Sequence, residues 1–208
     1  MSISSSVWIS DYPLVLASKS KTRRDLLDGA HLSPKIHVPV FDERAFENAL
    51  ATESSSPVDR AHALACEKAR LASLSYPEHY VIGADQILAC ETKVLHKAQS
   101  IHEAKHHLAF LSGKTHQLIS AFAIARDGHV LFEDHDTADM TMRGMTTEQI
   151  ERYCDYAGDA VLNNVGCYAL EGLGVHLFER VEGDFFTVLG LPLERVIGFF
   201  RREGCLSL

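Results

Sequence analysis

The chain has 208 residues, 46% hydrophobic and 23% charged, which suits one globular domain, or two lobes sharing a core, and excludes wholesale disorder. A formal charge of −8 speaks against a broad nucleic-acid surface, which needs a basic excess, but leaves room for a local phosphate pocket built from a few placed cations. No apolar run reaches the roughly 18–20 residues that span a bilayer, and five cysteines without a CxxC pair point to reduced, packed thiols, neither a disulfide framework nor a zinc ribbon.

The start, MSISSSVWISDY, has neither the basic opening nor the long apolar stretch of a secretion signal, so a cytoplasmic location is expected. Beyond it, short apolar runs alternate with amphipathic segments, the pattern of an α/β protein. Pro13–Ala17 reads as a strand, and Lys21–Asp28 as a helix stopped by Gly29. Asp59–Ala72 follows as a helix opened by Pro57, with Asp59 as its cap, after a loop at Glu53–Pro57. Tyr80–Asp85 is a second strand running on into Gln86–Cys90. Ile101–Leu111 is a helix halted by Ser112-Gly113. Gln117–Arg126 and Val130–Asp136 pair as strands around an Asp127-Gly128 turn. Thr147–Ala157 is a helix capped by Thr146. Tyr168–Glu182 and Phe185–Leu189 look extended, and Gly190-Leu-Pro192 opens a last helix through Phe200. There are no repeats, and no low-complexity tract beyond Ser2–Ser6.

Chemistry concentrates in a few places. Immediately after the first strand, Ala17-Ser-Lys-Ser-Lys-Thr-Arg-Arg24 crowds Lys19, Lys21, Arg23 and Arg24 onto a helix start, where the macrodipole is already positive. Free amides, the hydroxyls of Ser18 and Ser20, and arginine forks together suit phosphate oxygens. A solvated basic turn with Ser20 as a cap is the equal alternative. Asp85, closing an apolar run, is placed either to hold a metal and activate water or to begin a turn. Lys68 interrupts the stripe Ala61, Leu64, Ala65, Ala72, so it either snorkels outward or points into a cleft to meet an anion. His102-Glu-Ala-Lys-His106 spells the HExxH zinc signature. The helix wheel, however, buries Ile101, Ala104, Leu108 and Leu111, which turns both histidines toward solvent and makes a surface coincidence the better reading.

Taken in order, LASKSKTRRDLL, FDER at Phe41, EKAR at Glu67, VIGADQ at Val81, LSGKTH at Leu111 and VGCYALEGLGVHLFERVEGDFFTVLGLPL resemble the Maf family of nucleotide pyrophosphatases over nearly the whole chain, Leu14 to Phe200. The resemblance implies one Maf-like domain over residues 1–208, of the Maf/ITPase-like α/β class. Its central twisted mixed sheet would be flanked by helices, with two lobes around a deep cleft. It also implies hydrolysis of nucleoside triphosphates to monophosphate and pyrophosphate with a divalent cation, Mg²⁺ or Mn²⁺, and it brings a homodimer into consideration. By the same resemblance Asp85 matches the proton acceptor, and Ser18, Ser20, Arg23 and Arg24 the phosphate loop. Glu43, Lys68 and Lys97 match other cleft residues, Glu43 and Asp85 being the metal ligands. Thr22, Gln86 and Glu171 match the positions that sort substrates.

The chain also departs from the family pattern. Lys21 and Thr22 stand where the loop usually reads proline and arginine, Leu95-His-Lys-Ala98 replaces a GKP-like turn, and Asn163-Asn-Val165 stands where a lysine is frequent. Gln86 and Glu171 differ from the threonine and glutamine of the dTTP/UTP-directed branch and resemble the 7-methyl-GTP or broader-specificity branch. A carboxylate at Glu171 accepts two hydrogen bonds, as from a guanine N1–H and amine, which favours a purine edge. The alternatives are a dTTP/UTP pyrophosphatase and a nucleotide-sensing regulator of cell division that does not turn over.

Overall fold

The structure, a computed structural model, describes residues 6–51 and 55–208. The serine tract before Ser6, and Glu53 and Ser54 of the expected loop, lie outside the described residues. The elements run β1 (Leu14–Ala17), α1 (Lys21–Gly29), β2 (Lys35–Ile36), α2 (Glu43–Ala51), α3 (Pro57–Ser75), β3 (Tyr80–Cys90), β4 (Lys93–Leu95), α4 (Ile101–Leu111), β5 (Thr115–Arg126) and β6 (His129–Met142). They continue with α5 (Thr147–Ala157), three 3₁₀ segments, β7 (Phe178–Glu182), α6 (Phe185–Val188) and α7 (Leu193–Arg202). The strands form one mixed sheet in the order β2-β1-β3-β5-β6-β7, with β4 on β3. β1 is parallel to both β2 and β3, whereas β4 and β7 pair antiparallel. The expected mixed-sheet α/β class is therefore present.

Two compact units divide the chain: Met1–Asp85 with Ser120–Asp136 and Gly190–Leu208, and Gln86–Ile119 with Thr137–Leu189. In the first unit, Val15, Ala17, Ala72 and Val81 pack β1, β3 and α3 together. Trp8, Tyr80, Phe199 and Phe200 add an edge-to-face aromatic cluster beside α7. α7 buries Leu193, Val196, Phe199 and Phe200 on one face, as a 3.6-residue period requires. The β5–β6 turn falls at Asp127-Gly128, both with positive φ, the conformation that makes Asp-Gly a hairpin signal. In the second unit, α4 and α5 bury Ala104, Leu108, Leu111, Ile150, Tyr153 and Cys154 against Leu118, Met140 and Tyr168.

Several expectations are corrected. α3 begins at Pro57 and its cap is Ser56, whose hydroxyl accepts from the Asp59 amide at 3.1 Å while the Asp59 carboxylate accepts from the Ser56 amide at 2.9 Å. Asp59 is the reciprocal partner in a capping box, three residues inside the cap. Tyr168–Glu182 is extended only over its last five residues, as β7. Before them the Gly172 and Gly174 amides both return to the Ala169 carbonyl at 3.1 Å, and a Cβ on Gly174 would sit 2.5 Å from that oxygen, so the apolar alternation that mimics a strand is wound into turns. Phe185–Leu189 is not extended either: Asp184 caps the single turn α6 by accepting from the Thr187 amide at 2.8 Å.

Candidate active site

The first unit brings six of the expected residues together. β1 ends at Ala17, the chain turns through Ser18-Lys19-Ser20, and Ser20 caps α1 by accepting from the Arg23 amide at 3.4 Å. Ser18 Oγ receives the Ser20 amide at 3.2 Å and Arg23 Nη1 at 3.3 Å, which stiffens the turn from inside. Arg23 reaches past it: Nη1 donates to the Ala84 carbonyl at 2.9 Å and Nε to the Gly190 carbonyl at 2.7 Å. The guanidinium thereby ties the start of α1 to β3 and to the turn before α7. Burial lowers its pKa from the ordinary arginine value, and the nearby charges of Asp85 and Glu43 oppose that shift.

The other cations of the loop behave differently. Lys21 pairs with Asp25, and Arg24 Nε with Asp28 Oδ2 at 3.3 Å, each one helical turn onward and exposed. The crowding of positive charge at the start of α1 is thus offset by carboxylates at i+4, a signal present in the sequence and not weighed there. Thr22 is half-buried on the same turn.

Lys68 is 8% exposed, and its Nζ lies 2.7 Å from both Asp85 Oδ1 and Glu43 Oε2. The lysine in the apolar stripe points inward and meets two carboxylates. Asp85 does not begin a turn: it sits in mid-β3, two residues past Gly83, the last residue of β3 paired with β1. There β1 has stopped and its carboxyl end opens beside the Asp85 side chain. Glu43 arrives from the start of α2, a helix with no counterpart in the sequence reading.

The convergence of Glu43 and Asp85 on a single cationic atom is the test of a divalent metal. Two hard carboxylate oxygens able to reach one positive centre are a donor set for Mg²⁺ or Mn²⁺, ions that complete their shell with water and phosphate oxygens. Among the described residues no three His, Cys, Asp or Glu side chains gather as an all-protein cage. The two carboxylates fit a hard ion that takes its remaining oxygens from elsewhere.

The remaining expected residues lie in the second unit. Gln86 follows Asp85, and strand alternation turns its side chain to the opposite face of β3. Its Nε2 donates to the Val188 and Thr187 carbonyls at 3.0 and 3.2 Å, holding the end of α6. Lys97 is exposed between β4 and α4, its carbonyl accepting from Gln99. Glu171 is exposed in the turn closed on Ala169. His102 and His106 lie on the exposed face of α4, with their Nε2 atoms 3.0 Å apart, as the wheel predicts. Sequence reasoning missed the Ala84 and Gly190 carbonyls, because a backbone acceptor carries no side-chain signature.

A family profile described as Maf-like protein matches residues 13–203. A nucleoside triphosphate pyrophosphatase of Nitrobacter hamburgensis is 48% identical over 202 residues, covering 97% of this chain and 99% of that protein. One of Bradyrhizobium diazoefficiens is 45% identical over the same shares of the two chains. A 7-methyl-GTP pyrophosphatase of Rhizobium etli is 44% identical over 194 residues, 93% of this chain and 98% of that one.

Proposed function

The chain belongs to the Maf family, and from that premise we propose that it hydrolyses nucleoside triphosphates to monophosphate and pyrophosphate. The observation that carries the reading is the Lys68 ammonium held between Glu43 and Asp85, with Arg23 in electrostatic reach of both carboxylates. Substitution at phosphorus depends on positioning and charge neutralisation more than on covalent chemistry by the protein.

In the proposed reaction a water oxygen bonds to the α-phosphorus, the bond from that phosphorus to the bridging oxygen breaks, and pyrophosphate leaves with the electron pair. Asp85 accepts the water's proton on a carboxylate oxygen. Ser18, Ser20, Arg23 and Arg24 bind the phosphate chain, and Lys68 neutralises it. Mg²⁺ held by Glu43 and Asp85 would supply further neutralisation of the phosphate charge. For the base, the family resemblance points to Glu171, whose two acceptor oxygens suit a purine edge. A 7-methyl-GTP preference draws support from the Rhizobium etli relative, and a broader range from the Nitrobacter hamburgensis one. The site of action is proposed to be the cytoplasm.

The test is pyrophosphate release with Mg²⁺, measured over the common triphosphates and 7-methyl-GTP and repeated with chelator. Asp85→Asn should lower turnover by at least about 10²–10³-fold while circular dichroism stays unchanged, the loss typical of one preorganised catalytic group. Near-normal release from folded Asp85→Asn protein would end the assignment. A profile confined to dTTP and UTP would overturn the purine preference, and binding without release would favour a nucleotide sensor.

A further inference from the structure

Lys68 is unusually placed for a group that only greets substrate. Its ammonium is nearly removed from water, and two of its three donors are spent at 2.7 Å on carboxylates of the protein itself. Those carboxylates belong to Glu43 and Asp85, the two residues whose oxygens fit a divalent ion. We propose that Lys68 is a resident cation that competes with the metal for the Glu43–Asp85 pair, so that the metal binds together with the nucleotide and not before it. The inference rests on the function proposed above.

The charge count carries it. Glu43 and Asp85 contribute two negative charges; Lys68 and Arg23, which feels both carboxylates, contribute two positive ones. The cluster is neutral as it stands. A divalent ion arriving alone must either share two carboxylates with a buried ammonium or part that ammonium from both of them, and a buried unpaired charge is costly. A triphosphate arriving with the ion changes both terms. Its oxygens carry the negative charge that balances the added cation, and they give the Lys68 donors somewhere to go. Metal and nucleotide therefore strengthen each other's binding, reciprocally, by the same factor.

The experiment titrates Mn²⁺, followed by its electron paramagnetic resonance signal, into nucleotide-free wild type, Lys68→Gln and Lys68→Arg protein. Removing the resident charge frees both carboxylates, so Lys68→Gln should bind Mn²⁺ at least ~10-fold more tightly than wild type, whereas Lys68→Arg, still cationic, should not. Melting temperature gives a second readout: Mn²⁺ alone should raise it for Lys68→Gln and leave wild type where it was. Equal or weaker Mn²⁺ binding by folded Lys68→Gln overturns the proposal. Should that variant not fold, wild type decides: a Mn²⁺ Kd below about 0.1 mM without nucleotide overturns it, and a weaker one supports it. The two readings separate cleanly. Tighter binding by Lys68→Gln with no pyrophosphate release from wild type leaves the competition standing and removes the hydrolysis; release without tighter binding does the reverse.

Discussion

Gly83 lies directly against the Ala65 carbonyl: a Cβ built on it would fall 2.2 Å from that oxygen and 2.5 Å from the Ala69 amide nitrogen. The backbone of α3 therefore rests on the backbone of β3 at Gly83. Lys68, one helical turn on from Ala65, and Asp85, two residues on from Gly83, are brought to 2.7 Å by that contact. Only a residue without a side chain permits it.

Gly83→Ala is accordingly expected to cost about 1–3 kcal/mol through overpacking, since both obstructing atoms are backbone and cannot rotate away. In a chain of this size that lowers the melting temperature by roughly 2–4 °C per kcal/mol. Because α3 must move off β3, the Lys68–Asp85 distance should grow, and kcat should fall more than KM rises. A variant with unchanged melting temperature and unchanged kcat would contradict the role of the contact.

Arg23 and Arg24 are adjacent in sequence and unlike in structure. Arg23 serves the Gly190 and Ala84 carbonyls and the Ser18 hydroxyl, so Arg23→Ala strands buried acceptors at about 1–3 kcal/mol for each that water cannot reach. Arg23→Lys is expected to restore little, because an ammonium cannot reproduce the fork. Among the described residues Arg24 holds an exposed pair with Asp28, and Arg24→Ala should change stability by no more than about 0.5 kcal/mol. Chemical denaturation of the three variants checks the ranking. A pyrophosphate-release deficit in Arg24→Ala at full stability would then mark a contact with phosphate and not with the fold.

How far the sequence carries can be judged at particular residues. The elements with period and punctuation of their own were legible: α4 between Ser100 and Ser112, α5 after its Thr146 cap, the Asp127-Gly128 hairpin, β3 through Asp85. α2 was not, because its helix stands on Glu43–Ala51 packing against α3, a tertiary contact no local signal announces. The turns before β7 were misread because Leu173, Val175 and Leu177 alternate like a strand, while the decisive fact is the close approach of Gly174 to Ala169. Lys68 was legible as an oddity but not as an answer. A stripe position tells which way a side chain faces, and only the arrival of Glu43 and Asp85 tells what it meets. Gln86 shows the converse: resemblance assigns it to substrate sorting, yet its amide is committed to the Val188 and Thr187 carbonyls, partners 102 and 101 residues away in sequence that spacing cannot reveal.

His116 is buried on β5, its Nε2 2.6 Å from the Tyr168 hydroxyl and its Nδ1 without a hydrogen-bond partner among the described residues. Burial pushes its pKa down from the ordinary 6.5 to about 4. The folded state therefore holds the ring neutral where the unfolded chain takes up a proton. The sign follows: between about pH 6.5 and 4 the unfolded state binds more protons, so stability is full above 6.5 and is lost as pH falls toward 4. That lowering corresponds to on the order of 3 kcal/mol. Denaturant midpoints of wild type and His116→Phe across this range should therefore converge as the pH drops. The variant gives up the Tyr168 hydrogen bond at every pH but has no ring to protonate, so its stability should fall less steeply. Parallel curves for the two proteins would show that the acid sensitivity of the fold comes from other groups.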